Sequence, residues 1–408
     1  MARNRNRAPE GAPLPGDVLT LRIEALVFGG AGLAHLEGGR VVFVAGSIPG
    51  ELVEATVERS HADYTEAAAT RILEPSPGRI EPRCPLFGEC GGCQLQHMSY
   101  PAQLRAKEGI VREQLRRIGR LDDGCVRPIV GAAEPWGYRN HLRFSTGKKW
   151  GDVGFISRRG RGLLKVESCP IADPWVNGLL PSLQGKGAGL HQVQVRHNAA
   201  TGSFLINPEI RGLEVPSGQT SYLEVLGGHR FAVSASAFFQ VNSAQAEEMV
   251  RLVGESLPEQ GEILVDAFAG VGTFAVIFAH RFRSVIAIEE SNSAARDART
   301  NAAEMPNVSI RVGKVEDSLP LIGVAPDVVL LDPPRPGCAA PVIEAIIRFR
   351  PSVVVYVSCN PATLARDLRA LVDGGYALDH VTPLDMFPQT GHVECVSRLT
   401  LADPGAPR

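Results

Sequence analysis

The stretch "VVVYVSCNPATLARDL" (Val353 to Leu368) ends an apolar, strand-like run at Ser358 and Cys359, then opens a helix-compatible run with Asn360 and Pro361. A thiol in that place lies at the positive end of a helix dipole, which is expected to lower its pKa and raise its thiolate fraction. The chemistry it offers is nucleophilic attack. In "VVLLDPPRPGC" (Val328 to Cys338), Asp332 stands at the tip of another apolar strand. The two prolines after it each fix φ and lack an N–H, so the acid sits on a rigid loop.

"VDAFAGVGTFAV" (Val265 to Val276) puts Gly270 and Gly272 in the turn after a third strand, where backbone can approach a ligand closely. The next strand ends in Glu289, 17 residues after Gly272 and placed to accept hydrogen bonds from ribose hydroxyls. NAD and S-adenosylmethionine share this layout. The Pro-Pro loop favours the second, because a dehydrogenase has no evident use for it.

A second constellation is Cys84, Cys90 and Cys93 in "CPLFGECGGCQLQH", spaced C-x5-C-x2-C. Three such thiols can converge on one metal centre, with Cys125 ("DDGCVRP") or Cys169 ("VESCPIAD") as the fourth ligand. Four thiolates suit zinc or an iron–sulfur cluster alike. Cys338 and Cys395 read as packing thiols, and the histidines, His97 and His141 included, show no ligand spacing.

These residues need positioning elements, and the 408-residue chain has room for several domains. No apolar run reaches the roughly 18 residues of a membrane span, and "MARNRNRAPEGAPLPG" lacks the apolar centre of a signal peptide. A cytoplasmic protein is expected, with reduced cysteines and no membrane or obligate protein partner. Residues 1–16 read as a disordered arm. Residues 17–75 alternate in short runs between Gly-rich turns, the pattern of a small OB-like β-barrel. Residues 76–230 look α+β, with a helix over Tyr100 to Gly119 and strands at "HQVQVRHN" and "GSFLINP". From 231 to 408, apolar strands alternate with helical stretches, which implies an α/β doubly wound parallel sheet that binds ligands beyond the carboxyl ends of its strands.

The net charge of −2 hides a split: Lys and Arg outnumber Asp and Glu 20 to 13 over residues 81–230 but not in the flanks. Tyr138 to Lys165 holds eight of these cations, one acid, and the aromatics Tyr138, Phe144, Trp150 and Phe155, a composition suited to a nucleic-acid surface.

In order along the chain, "FFQVN" (Phe238 to Asn242), "DAFAGVGTF", "DPPRPG", "SCNPATLARDL" and "DMFPQTGHVECV" (Asp385 to Val396) resemble the RNA 5-methyluridine (uracil-C5) methyltransferases. The amino-terminal barrel and the cysteine spacing resemble the TRAM-domain, iron–sulfur branch acting on 23S ribosomal RNA. The resemblance implies a Rossmann-like methyltransferase domain, S-adenosylmethionine as cofactor, a 4Fe-4S cluster on Cys84, Cys90, Cys93 and Cys169, and an RNA substrate. It gives Cys359 as nucleophile and Glu394 as general base, with Gln240, Phe268, Thr273, Glu289, Asp317 and Asp332 as cofactor contacts.

The implied reaction explains the residues. Uracil C5 is a poor nucleophile, so a thiolate adds at C6 and enriches C5 as an enolate. After methyl transfer a base must remove the C5 proton before the thiol can leave. The base must also be flipped out of its stack to be reached. Competing expectations are the same reaction on the T-loop uridine of tRNA, a non-catalytic RNA-binding protein, and an NAD-dependent enzyme.

Overall fold

The structure is a computed structural model describing residues 11–147, 150–158, 160 and 162–402. The chain divides into two compact units: Met1–Ile110 with Ile156–Arg161 and Phe387–His392, and Val111–Phe155 with Gly162–Met386 and Val393–Arg408. Among the described residues, no helix is long and apolar enough to cross a membrane.

The first unit is built on strands β1 (Val18–Arg22), β2 (Ala25–Leu26), β3 (Gly32–His35), β4 (Val41–Ala45), β5 (Leu52–Ser60) and β6 (Tyr64–Glu74), in the sheet order β1-β5-β6-β4-β3-β2. Alternate residues point inward, so Leu21, Ile23, Val42, Val44, Val53 and Ala55 form the core the period-two pattern called for. Order begins before residue 17. Gly16 N–H donates to Val57 carbonyl at 2.9 Å, and Ser60 Oγ donates to Pro13 carbonyl. Residues 1–10 of the expected arm lie outside the described residues.

A second apolar cluster, Leu26, Ile48, Leu95, Met98 and Ile110, holds the part of helix α1 (Tyr100–Gln114) that belongs to this unit, up to Ile110. The short segment Phe387–His392 also belongs here. Gln103 and Gln389 exchange reciprocal bonds: Gln103 Nε2 donates to Gln389 Oε1 at 2.9 Å and Gln389 N–H to Gln103 Oε1 at 3.0 Å. Lys107 Nζ donates to Phe387 carbonyl at 3.0 Å, and Leu95 N–H to Gln389 carbonyl at 2.9 Å. Gly391 has no room for a side chain, since a Cβ there would lie 2.4 Å from the Gly29 backbone.

The second unit opens with a sheet of β7 (His141–Thr146), β8 (Val153–Ile156), β9 (Leu163–Lys165), β10 (Gln192–His197) and β11 (Phe204–Asn207), ordered β11-β10-β7-β8-β9, with helix α2 (Pro174–Leu183) between β9 and β10 in the chain. The hairpin β12 (Ser221–Leu226) and β13 (His229–Ser234) leads through residues 235–242 into helix α3 (Ser243–Ser256), capped by Asn242 Oδ1.

Then follow β14 (Gly261–Ala267), α4 (Thr273–Ile277), β15 (Phe282–Glu289), α5 (Asn292–Asn301), β16 (Val308–Val312), α6 (Val315–Ser318), β17 (Val328–Leu331), α7 (Ala340–Phe349), β18 (Val353–Ser358), α8 (Pro361–Asp373), β19 (Tyr376–Leu384) and β20 (Glu394–Leu401). Their sheet runs β16-β15-β14-β17-β18-β20-β19; the first five strands are parallel, and β20 is antiparallel to both neighbours. Every residue of β17 and β18 is buried, as interior parallel strands with both faces covered require. Chain order reverses between β14 and β17, which makes their carboxyl ends the switch point where such sheets bind ligands.

Candidate active site

Sheet register gathers the candidate residues. Ala267 pairs with Leu331 and Leu331 with Tyr356, so β14 and β17 end level while β18 runs two residues further, and Asp332 N–H still reaches Ala267 carbonyl at 3.3 Å. Ser358 pairs with Cys395 on antiparallel β20. One step beyond that pair stand Cys359, leaving β18, and Glu394, the first residue of β20. Asn360 begins α8 by accepting Ala362 N–H at 3.1 Å, and its Nδ2 donates to Arg335 carbonyl at 3.1 Å. Thr363 Oγ1 donates to the same carbonyl at 3.2 Å, so the helix after the thiol clamps the loop that carries Asp332.

The electrostatics differ from the dipole-based expectation. The Cys359 thiol is pushed up to about 11, first by burial and then by the carboxyls of Glu394 and Asp332, with Arg335 pulling the other way. The dipole acts over one turn only, and burial beside two acids outweighs it. Glu394 is 6% exposed; burial and Asp332 hold it well above the usual carboxylate range. Burial raises Asp332 to about 7. Asp266, at the end of β14, rises to about 8 through burial, against an N–H from Ala275, with Asp332 and Glu289 adding to the rise. Its Oδ1 has no hydrogen-bond partner. This acid was not singled out from the sequence, although an Asp closing an apolar strand was the available signal.

Around the β14 turn, Phe268 adopts a left-handed φ of 67°, and Gly270 and Gly272 adopt φ of 58° and 83°. A side chain on Gly270 would meet nothing within 4 Å, so the turn faces open space. Thr273 is the first residue of α4. Glu289 is fixed by two main-chain donors, Gly270 N–H at 2.9 Å and Ser291 N–H at 2.7 Å, which leaves further lone pairs on its carboxylate. Gln240 lies in the 235–242 segment with Oε1 buried and without a partner. The same segment approaches the end of β15, since Ser236 Oγ and Ser293 Oγ are 2.8 Å apart. Asp317 is exposed on α6, beyond the edge strand β16.

Cys84, Cys90 and Cys93 occupy one turn-rich loop of the first unit, and none is in a disulfide. Gly92 N–H donates to Cys90 Sγ at 3.4 Å. Cys169 belongs to the second unit, where its N–H donates to Asn177 Oδ1 at 2.8 Å. Among the described residues, no three His, Cys, Asp or Glu side chains are arranged to hold a metal ion. In the basic stretch, Trp150 is exposed and the Phe144 and Phe155 rings meet at 5.2 Å, tilted by 31°; Lys148, Lys149, Arg159 and Arg161 lie outside the described residues.

Two family models match: tRNA (Uracil-5-)-methyltransferase over residues 317–401 and the TRAM domain over residues 14–70. An uncharacterized RNA methyltransferase of Gloeobacter violaceus is 36% identical, with 95% of this chain and 98% of that protein covered. Another from Halalkalibacterium halodurans is 34% identical over 94% of this chain and 97% of its own length. Among solved structures, the tRNA (uracil-54, C5)-methyltransferase of Pyrococcus abyssi in complex with S-adenosyl-L-homocysteine is 26% identical, with a TM-score of 0.74 and coverage of 94% of this chain and all of that one.

Proposed function

Because this chain belongs to the RNA methyltransferases of the uracil-C5 family, we propose that it methylates C5 of a uridine in RNA through a covalent adduct on Cys359, with S-adenosylmethionine as methyl donor. The observation that carries this reading is the placement of Cys359 and Glu394 one step beyond the Ser358–Cys395 pair, with Asp332 at the tip of the neighbouring strand.

The cofactor, when bound, supplies an electrophilic methyl group. Glu289 would accept from its ribose, Gln240 would use its free Oε1, and Phe268, Thr273, Asp317 and Asp332 would complete the contacts. The open turn at Gly270 and the acidic surroundings suit a ligand that carries a positive charge. Cys359 Sγ forms a bond to C6, and its proton must leave as it does so. Asp332, titrating near neutrality, is matched to exchange that proton. Once C5 carries the methyl group, Glu394 takes the C5 proton, the C6–S bond breaks, and the thiolate is released. Burial and the neighbouring Asp332 raise Glu394's affinity for a proton, which favours its taking one from C5, while Arg335 works against this.

We place the reaction on 23S ribosomal RNA, on the strength of the barrel and cysteine pattern. The basic stretch from Arg139 to Lys165 would contact phosphates, and the work would be cytoplasmic. We also propose a structural 4Fe-4S cluster on Cys84, Cys90, Cys93 and Cys169. The donor set fits by chemistry, with an N–H already on one sulfur, though not by gathered geometry. As functional divisions we propose a barrel over 17–75, an RNA-binding region over 76–230 and the methyltransferase over 231–408. A second reading, the T-loop of tRNA, is favoured by the likeness to the Pyrococcus abyssi enzyme. Mapping 5-methyluridine in both RNAs from cells lacking the protein separates them: loss from 23S RNA supports the first reading, and loss from tRNA alone replaces it with the second.

A further inference from the structure

Arg196, on β10, is 1% exposed, and its guanidinium is only partly satisfied. Nη2 donates to the main-chain carbonyls of Ala237 at 2.6 Å and Ala235 at 3.3 Å, while Nε and Nη1 make no hydrogen bond. The group lies over the Tyr222 ring at 5.4 Å. Glu224 is the nearby countercharge, and its carboxyl accepts from Tyr222 OH at 2.7 Å and from Asn198 Nδ2. Opposite Arg196 in the strand register stands His141, which burial and the surrounding arginines keep neutral.

Burying a guanidinium costs several kcal/mol unless its hydrogen bonds are made. Among the described residues, the main-chain acceptors it reaches are two carbonyls of one turn, with the Tyr222 side chain beside it. Gln194, two residues earlier on β10 and so on the same face, also donates to Ala235 carbonyl, at 3.0 Å. Asn140 N–H holds the far end of the segment through Val241 carbonyl at 2.9 Å. Between these anchors lie Phe238, 67% exposed, and Gln240 with its unpartnered Oε1. No residue within the segment fixes those two side chains by a side-chain hydrogen bond. Their placement is therefore delegated to the central sheet.

We propose that Arg196 is a positioning residue for the proposed methyl-donor site: it bolts the Ala235–Ala237 turn to β10 and so presents Gln240 in its binding position. This rests on the reading of Gln240 as a cofactor contact. Arg196 itself touches neither cofactor nor RNA.

The test uses the full-length protein, with S-adenosylhomocysteine as probe in calorimetry. The variant Arg196→Met/Glu224→Gln removes both buried charges at once, so no carboxylate is stranded, and Arg196→Lys keeps the charge but reaches a single carbonyl. With melting temperatures close to wild type, the double variant should bind the probe about tenfold more weakly and show a matching rise in KM for the donor, with kcat and RNA affinity changed much less. Arg196→Lys should fall between, and it decides the matter if the double variant does not fold. In a Gln240→Ala background, the Arg196 substitution should add nothing to the loss. Wild-type affinity in Arg196→Lys, or full additivity with Gln240→Ala, overturns the proposal while leaving the cofactor site standing. A wild-type protein that does not bind the probe overturns the cofactor site, and the positioning role with it.

Discussion

Glu394 enters the sheet where Cys359 leaves it: the acid is one residue before Cys395, the thiol one residue after Ser358, and Cys395 and Ser358 are paired. Two groups proposed to act in sequence on adjacent ring carbons are thereby held together by main-chain register, without depending on a loop.

The two should fail differently when removed. Cys359→Ala should abolish methylation and any covalent RNA–protein species. Glu394→Gln keeps the attacking thiol but lacks the base, so turnover should drop by about 10²–10⁴ and a methylated adduct should persist through denaturing electrophoresis. Normal turnover by Glu394→Gln, or an adduct peptide containing Cys338 or Cys395, would reassign the roles.

The raised thiol pKa predicts sluggish alkylation. Without ligands, Cys359 should react slowly with iodoacetamide at pH 7.5, and its rate should still be climbing above pH 9, because only the thiolate reacts. Asp332→Asn removes a negative neighbour and should speed alkylation at pH 8 to 9, by up to about tenfold for one unit of pKa. A rate that levels off below pH 8 contradicts this, and mass spectrometry of the Cys359 peptide reads it directly.

Asp266 should make the fold pH-sensitive in an unusual direction. Its carboxyl binds a proton more tightly when folded, at about 8 against 3.8 for an ordinary aspartate, so it contributes most at low pH and that contribution is lost as pH rises toward 8. Asp266→Asn keeps an acceptor for Ala275 N–H and cannot ionise. Its melting temperature relative to wild type should therefore be higher at pH 8.5 than at pH 5.5, with roughly 1–2 °C for each kcal/mol at this chain length. An equal difference at both pH values would show that the carboxyl is solvated.

Metal content tests the cysteines. Protein purified without air should be brown and contain iron, and Cys169→Ser should lose it. Zinc in place of iron refutes the cluster, and loss on Cys125→Ser but not Cys169→Ser moves the fourth ligand.

The βα alternation in the last part of the chain reads directly as a parallel sheet because interior strands must be apolar along their whole length, and "VVVYV" is. Cys359 was legible for the same reason: the strand had to end there. Its pKa was not, because local sequence shows the helix start at Asn360 but not the carboxyls arriving from β17 and β20. Asp266 was overlooked beside the glycines it precedes. Arg196 could not be read at all, since nothing in "HQVQVRHN" tells that its partners are carbonyls some forty residues later.

Residues Gln103 and Gln389 are 286 positions apart, yet each completes the other's hydrogen bonding in the first unit. A ribosome adding about 5–20 residues per second takes roughly 15–60 s to cover that distance. The barrel can close early, but the polar face of α1 that receives Phe387–His392 stays uncovered until those residues have been made. Nascent chains that stop before residue 387 should therefore need chaperones, because the fault falls on the unit that holds Gln103 and not on the strands next to the stop.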